Sequence, residues 1–551
     1  MGRAGILCDL ERKWLLHMLK RPKNLGLMFE WHAGRSRQLT VHLDRPLDIE
    51  GPDGPLFYNG RALADLVAEA SGWLRAAGVG RGDHVAVVKP NHFDMIVLAA
   101  AAARIGAVAA LVSAADTPHH HAALLDRIRP VVSIISSDVL ERAASAGLDL
   151  RGHGTTIVLG RDADPARADE LDLKSLRGKP VPKPDPAPDD APMFITHTSG
   201  TTGVPKLVVH SATSNHYASR LELTPFPVIV NRRSDTTLVS ISFAHSRSLA
   251  WIGAQLKWAP AKVVVASRYE PESVEKVFEQ HLPTTVEATP NVYQRWKVLA
   301  ERRPELFAHV RFYLNTFDLM HPSTVRTFLN ASSRRLPVWA QSWGQSEVGP
   351  IAGALYTRAM VRRRGVASTN NVGWSVPWLI RTRVVDPETG EPVRRGRTGI
   401  LMSRSRSRCI DYLGETDRHE LKSAGEWWNT GDLGYKDLLG RVRFVDRAVD
   451  EIPGLSGTEL ESILLDRIPN AIEVIVLGVS GSAPLPVLSL DGGSISDAEW
   501  RAATKGLPAM ADPVVIAWED LPRTSTWKVR RGALRRSLVG TELGDGVSTW
   551  T

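Results

Sequence analysis

Apolar positions along the chain alternate between two spacings. "ALADLVAEASGWLRAAG", residues 62–78, has helical periodicity and stops at a glycine, whereas "HVAVVKP", residues 84–90, is a β-branched run ended by proline. "HAALLDRIRP" and "VVSIIS" repeat that order, which predicts parallel strands joined by crossover helices. The most apolar run, "MIVLAAAAARIGAVAALVSAA", residues 95–115, is long enough to raise the question of a membrane. Arg104 lies at its middle and alanine supplies little transfer energy, so it predicts a buried helix ending near residues 104–106 and a buried strand through Val112, with no membrane span.

A Pro- and Asp-rich loop, residues 177–192, delivers the chain into "MFITHTSGTTG", a strand running into a polar turn. "TTLVSISF" and "AKVVVAS" read as further strands, and "PESVEKVFEQH" as a helix opened by proline. After about residue 370 the texture changes. "IRTRVVDPETGEPV" reads as strand, turn and strand, and "GRVRFVDR" as another short strand, which predicts an antiparallel β region. The last hundred or so residues carry helix and strand signals of their own.

Composition narrows the class. A chain of 551 residues is long for one core, and 43% hydrophobic with 23% charged residues is ordinary for a soluble globular protein. Its two cysteines, Cys8 and Cys409, make neither a disulfide framework nor a zinc pattern, and the amino terminus lacks the apolar core of a secretory signal. A reducing cytoplasm is the expected location. The net charge of +8 raises nucleic acid as a partner, but the arginine clusters at residues 362–364, 404–408 and 529–536 lack interleaved stacking aromatics. They read as solvated faces, and no nucleic-acid partner is expected.

The candidate chemistry sits in "THTSGTTGVPKLVVHS", residues 196–211. Gly200 and Gly203 let the backbone bend and expose its N–H groups, which together with hydroxyls form an anion cradle, and Lys206 adds a cation. A phosphate chain fits such a cradle. Pro205 and Leu207 flank Lys206, so this is not a Walker loop.

"TSGTTGVPK" resembles the signature phosphate loop of the adenylate-forming enzymes: acyl- and aryl-CoA synthetases, adenylation domains of peptide synthetases, and luciferases. Further segments follow in that family's order: "FAHS" at residues 243–246, "WGQSE" at 343–347, "NVGWSVP" at 371–377, "WNTGDLG" at 428–434, "VDRAVDEI" at 445–452 and "LPRTSTWKVRR" at 521–531. The resemblance covers roughly residues 40 to 540. It implies an α/β protein with a large N-terminal AMP-binding domain (residues 1–446) of mixed sheets with helices plus a β region. A small mobile C-terminal α+β domain (residues 447–551) would carry the catalytic lysine.

The resemblance also implies roles. Thr198, Ser199, Gly200, Thr201, Thr202, Gly203 and Lys206 would hold the phosphates of ATP. Glu347 would bind Mg²⁺, a hard cation suited to a carboxylate. Trp343 would stack on adenine, with Gly344, Gln345 and Ser346 beside it. Asp432 would take the ribose hydroxyls, with Arg447 near them. Lys528 would bridge the incoming carboxylate and the α-phosphate, where charge builds up. His245 would flank the acid site, and Phe243, Ala244 and Phe317 would line its pocket.

Four positions depart from the family pattern. Ala244 stands where amino-acid-activating relatives have Asp, which disfavours an α-amino acid. Thr316 and Phe317 stand where a Gly-Gly pair is usual. Trp527 replaces the glycine before the catalytic lysine. The stretch from the hinge, "AVDEIPGLSGTELE", is about four residues short of the usual length, with Val449 at the hinge position and Pro453 in the loop. The implied reaction is ATP-dependent activation of a small carboxylic acid as acyl-adenylate, with release of pyrophosphate. Transfer to an acceptor thiol would follow, as in an acyl-CoA synthetase. The alternatives are transfer to the phosphopantetheine of an acyl carrier protein or to an amine rather than to CoA, and a degenerate ATP-binding regulatory module.

Overall fold

The computed structural model describes residues 21–160, 170–198, 204–225, 228–376, 379–450, 452, 454–479, 481–492, 494–524 and 527–540. Three sheets form among them. One, of eight strands, has a parallel centre. Val108–Ser113 and Val132–Ser136 flank His84–Lys89, with Pro192–His197 and Thr155–Leu159 outside them. The helices Asp94–Arg104 and Pro118–Ile128 are crossovers of this sheet, as the alternating pattern predicts. The apolar run thus splits into a fully buried helix and the buried strand Val108–Ser113. Arg104 is paired where it is buried: its Nη2 meets Glu30 Oε1 at 2.7 Å and its Nη1 donates to Pro182 O at 2.6 Å. No helix among the described residues is long and apolar enough to cross a membrane.

The largest sheet, of fourteen strands, is parallel from Lys262–Val265 through Thr236–Ser240, Thr285–Ala288 and Phe312–Asn315 to Val338–Gln345. It turns antiparallel at Gly349–Tyr356 and stays so through Asn371–Ser375, Val442–Arg447, Trp427–Lys436, Gly399–Ser405 and Ile380–Val385. The strand–turn–strand expected over residues 380–393 needs correction. Ile380–Val385 forms, but beyond the turn only an isolated bridge from Val385 to Pro392 remains. Proline has no N–H to extend a ladder, and Gly399–Ser405 is the partner instead.

The third sheet, Ala471–Leu477, Leu485–Leu490 and Val514–Val515, packs with the helices Gly457–Arg467 and Asp497–Thr504 around Leu460, Leu464, Val474, Val476, Leu488 and Trp500. Polar contacts join this unit to the larger sheets. Asn291 donates to Glu473 at 3.0 Å, Arg530 to Asp116 at 3.0 Å, and His321 lies 3.0 Å from the Ser462 hydroxyl. Between the two parts runs the short turn Ala448–Asp450. It is cross-braced: the Ser456 and Thr458 hydroxyls both donate to Val445 O, at 2.8 and 2.9 Å, and the Gly457 N–H donates to Asp446 at 3.1 Å.

Candidate functional site

A cavity of about 660 Å³ opens beyond the carboxyl ends of the parallel strands of the largest sheet, where ligands of open α/β sheets bind. Its wall combines charged residues, among them Lys206, Arg418 and Lys422, with apolar ones such as Ile229, Phe312 and Leu314.

The charged side begins at the candidate phosphate loop. Ser199, Gly200, Thr201, Thr202 and Gly203 lie outside the described residues, but both ends of the loop are pinned. The Thr198 N–H donates to Lys206 O at 2.9 Å, and the Lys206 N–H donates to Thr198 Oγ1 at 3.1 Å. The antiparallel pair Pro192–His197 and Leu207–Ser211 forces this closure. Lys206 lies over the Tyr412 ring at 5.0 Å, and burial followed by the nearby Lys422 pushes its pKa down to about 8. Arg127 joins Glu415 at 2.6 Å, and Arg418 joins the same carboxylate. The sequence reading missed Arg127, Arg418 and Lys422. The spacing of Arg418 and Lys422, one helical turn apart, was the available signal.

Glu347 is buried, and its Oε1 accepts the Tyr412 hydroxyl at 2.6 Å. Burial alone would raise its pKa, but Lys422, the Tyr412 hydroxyl and Lys206 together hold it below the ordinary range. One carboxylate oxygen beside an anion cradle is a donor set that suits Mg²⁺ shared with phosphates. Among the described residues no cluster of three or more His, Cys, Asp or Glu forms an all-protein metal cage.

On the strand Val338–Gln345, Gly344 is required by close approach, since a Cβ there would come within 2.3 Å of Gly349 O. Trp343 and Asp432 are not among the residues that line the cavity. Both are buried, and the Trp343 indole N–H donates to Asp432 Oδ2 at 3.0 Å. Gln345 donates to the same oxygen at 3.1 Å, and Arg447 Nε stands 3.5 Å from Oδ1. The indole is thus anchored to Asp432 beside the cavity-lining Gly344. A buried indole N–H needs an acceptor, and Asp432 supplies it. Burial raises the Asp432 pKa, against the pull of Arg447 and Trp343.

Around the reaction centre, His245 caps the helix Ser246–Trp258. Its Nδ1 accepts the Arg247 N–H at 3.1 Å, so Nε2 carries the hydrogen and donates to Ser346 Oγ at 2.9 Å. Burial, and then the charge of Lys528, push its pKa down to about 3. It is a neutral hydrogen-bonding group. Lys528 lines the cavity with Nζ 3.5 Å from Asp318 Oδ2. Phe317 lines it too, its ring 4.6 Å from the His245 ring. Phe243 and Ala244 do not, which corrects their expected place. Both are core residues, and the Phe243 ring packs edge-on against Phe93 at 6.0 Å and Trp251 at 6.4 Å. The wall facing the cavity begins at His245, one residue later.

Phe317 and Trp527 both keep left-handed backbone, with φ of 77° and 67°, although neither is glycine. Trp527 is held against Tyr269 at 4.2 Å and stacks on Trp518 at 5.8 Å with the rings 13° apart.

The AMP-binding enzyme family matches residues 33–413, and the chain belongs to that family. It is an ATP-dependent, AMP-forming ligase. It is 35% identical over 544 residues to a 3-amino-2-hydroxy-4-methoxybenzoate diazotase of Streptomyces cremeus, covering 95% of this chain and 96% of that protein. Among solved structures it resembles a benzoate CoA ligase from Burkholderia xenovorans, with TM-score 0.76 and 19% identity over 93% of this chain and 99% of that one. It also resembles an amide bond synthetase from Marinactinospora thermotolerans, with TM-score 0.74 and 19% identity over 94% and 99%.

Proposed function

We propose that this enzyme adenylates a small oxoanion and passes the activated group to an aryl amine bound in the same cavity, rather than to CoA. The observation that carries this reading is the anchoring of Lys528. The preceding Trp527 packs against Tyr269 of the large domain, with Trp518 beside both, and the hinge is cross-braced onto Val445 and Asp446. Thioester formation in related ligases needs the small domain to rotate and the lysine segment to leave. An amine already inside the cavity needs neither. In the division we infer, the large domain ends at residue 446 and the small domain carries Lys528.

The likeness to an aminobenzoate diazotase over nearly the whole chain favours a specific version, with nitrite as the oxoanion. A nitrite oxygen attacks the α-phosphorus of ATP, and the bond to the leaving pyrophosphate breaks. The amine nitrogen then attacks the nitrosyl nitrogen and gives up a proton, and the N–O bond breaks as AMP leaves. The resulting N-nitrosamine shifts a proton to oxygen, takes up another and loses water, which leaves the diazonium ion. Phe317 against His245 fits a compact activated group.

In this scheme Thr198, Lys206 and residues 199–203 bind the β- and γ-phosphates, and Arg447, on the cavity wall, faces the ribose with Asp432 behind it. Lys528 neutralises charge at the α-phosphate as it builds up. His245, neutral and fixed by Ser346, shapes the wall beside the anion. Mg²⁺, when bound at Glu347, would offset phosphate charge. The test is pyrophosphate release from ATP with nitrite or a panel of benzoates, followed by aryl amine or CoA. Azo-dye formation on trapping with a naphthol, dependent on nitrite and amine, is expected. Pyrophosphate release that depends on a benzoate and yields its CoA thioester would overturn the reading.

A further inference from the structure

A carboxylate with a spare oxygen faces the cavity from its wall. Glu222 ends the helix Ala212–Leu223, Arg247 opens the helix Ser246–Trp258, and Glu287 lies on the strand Thr285–Ala288. Arg247 donates Nε and Nη2 to the two oxygens of Glu287, both at 2.7 Å, and Nη1 to Glu222 Oε1. The guanidinium is therefore already paired with the buried Glu287, and Glu222 is a second carboxylate on the same cation. The Glu222 side chain is 22% exposed, so a bound donor would take the place of water at its other oxygen.

The second oxygen of Glu222 has no hydrogen-bond donor among the described residues, and the side chain lines the cavity. Its backbone is fixed, because the Trp258 indole N–H donates to Glu222 O at 2.7 Å. Apolar residues share this part of the wall, Ala218, Leu221, Ile229, Phe312 and Leu314 among them. Glu222 also borders an adjoining pocket of about 40 Å³, which Asn231 and Gln255 line as well and none of Thr198, Lys206, Ser346 or Lys528 does.

We infer that Glu222, held by Arg247 against Glu287, is the specificity group that reads an N–H or O–H donor on the ring of the aromatic substrate. A flat ring fits among the apolar residues, and an amino or hydroxyl substituent supplies the donor that the carboxylate lacks. A ring carboxylate would be repelled at this position, so the group also sets the direction in which an aminobenzoate enters. The inference rests on the proposed aryl substrate, but not on the reaction it undergoes.

Binding without turnover separates the two. Full-length wild type, Glu222→Met and Glu222→Gln are titrated by calorimetry with aniline, toluidine, aminophenol and phenylenediamine, with a nonhydrolysable ATP analogue present. Wild type should favour aminophenol and phenylenediamine, which carry a second donor besides the reacting amine, over toluidine, which carries a methyl there, by about 10- to 100-fold, the scale of a hydrogen bond to a charged group. Glu222→Met should reduce that ratio to about threefold or less and improve binding of toluidine. Thermal unfolding midpoints check that each variant is folded, and Glu222→Gln replaces Glu222→Met if the latter is not. Aminophenol and phenylenediamine together distinguish hydroxyl from amine as the preferred donor. An equal preference in wild type and the folded variant overturns the inference, whatever the outcome for diazonium formation. Failure of the reaction with the binding preference intact would instead remove the proposed function alone.

Discussion

Phe317 and Trp527 share an unusual backbone and use it differently. A non-glycine residue in the left-handed region costs on the order of 1 kcal/mol, so each must be held by its surroundings. Phe317 turns its ring into the cavity and onto His245, where it shapes what binds. Trp527 turns its ring away, into a stack with Trp518 beside Tyr269, and so fixes the next residue, Lys528. Both positions are left-handed without being glycine. One ring faces the cavity and the other packs beside the segment of Lys528.

The largest effect expected on this comparison comes from the residue that Trp527 positions. Lys528→Ala should lower oxoanion-dependent pyrophosphate release by about 10²-fold or more, while ATP binding changes little. Near-normal release would show that the Trp527 turn positions nothing of consequence. Trp527→Gly should come next. Glycine accepts the backbone, so the protein should remain folded, but loss of the stack should cost about tenfold in adenylation. If thioester formation with CoA rises in this variant, the stack is what restrains the lysine segment. Wild-type kinetics in both half-reactions would remove Trp527 from the comparison.

Phe317→Gly should change selectivity more than rate. Removing the ring enlarges the reaction centre, so KM for a small anion should rise several-fold and bulkier acids should begin to support pyrophosphate release. An unchanged acid profile would mean that the ring only packs against His245. The smallest effect concerns the hinge. Burial, reinforced by Glu461 and opposed by Arg531, raises the Asp446 pKa to about 7. A raised carboxyl binds its proton more tightly in the folded chain. Its contribution is therefore full below the ordinary carboxyl range and is lost as pH rises through about 7. Asp446→Asn, which mimics the protonated form, should flatten the decline of Tm between about pH 4 and 7. Parallel pH profiles for wild type and variant would exclude the effect.

Much of the fold was legible because buried parallel strands and crossover helices leave strong periodic patterns. The run around Arg104 resolved into helix and strand close to where its pattern placed them. Thr198, Lys206 and Glu347, which the cavity does bring together, were legible for another reason: each sits in a short segment of fixed residue order. Arg127 and Glu415 meet across 288 positions, and Arg247 and Glu287 across 40, so neither pairing leaves a local signal. Singly, such charges read as solvated helix faces. An aromatic residue misled in the opposite sense. Phe243 carries the right chemistry for a pocket, but sequence does not tell a ring in the core from one facing a ligand, and it is buried away from the cavity. The left-handed turns at Phe317 and Trp527 were visible only as missing glycines.

In the proposed reaction the activated group meets its acceptor with Lys528 still in place. The most direct measurement forms the enzyme-bound adenylate from ATP and nitrite or a small acid. It then mixes the adenylate rapidly with either an aryl amine or CoA and follows AMP release by quenched flow. The amine should discharge the adenylate at a rate comparable to its formation, while CoA leaves it nearly untouched. Rapid discharge by CoA with thioester formation, and none by the amine, would contradict the claim.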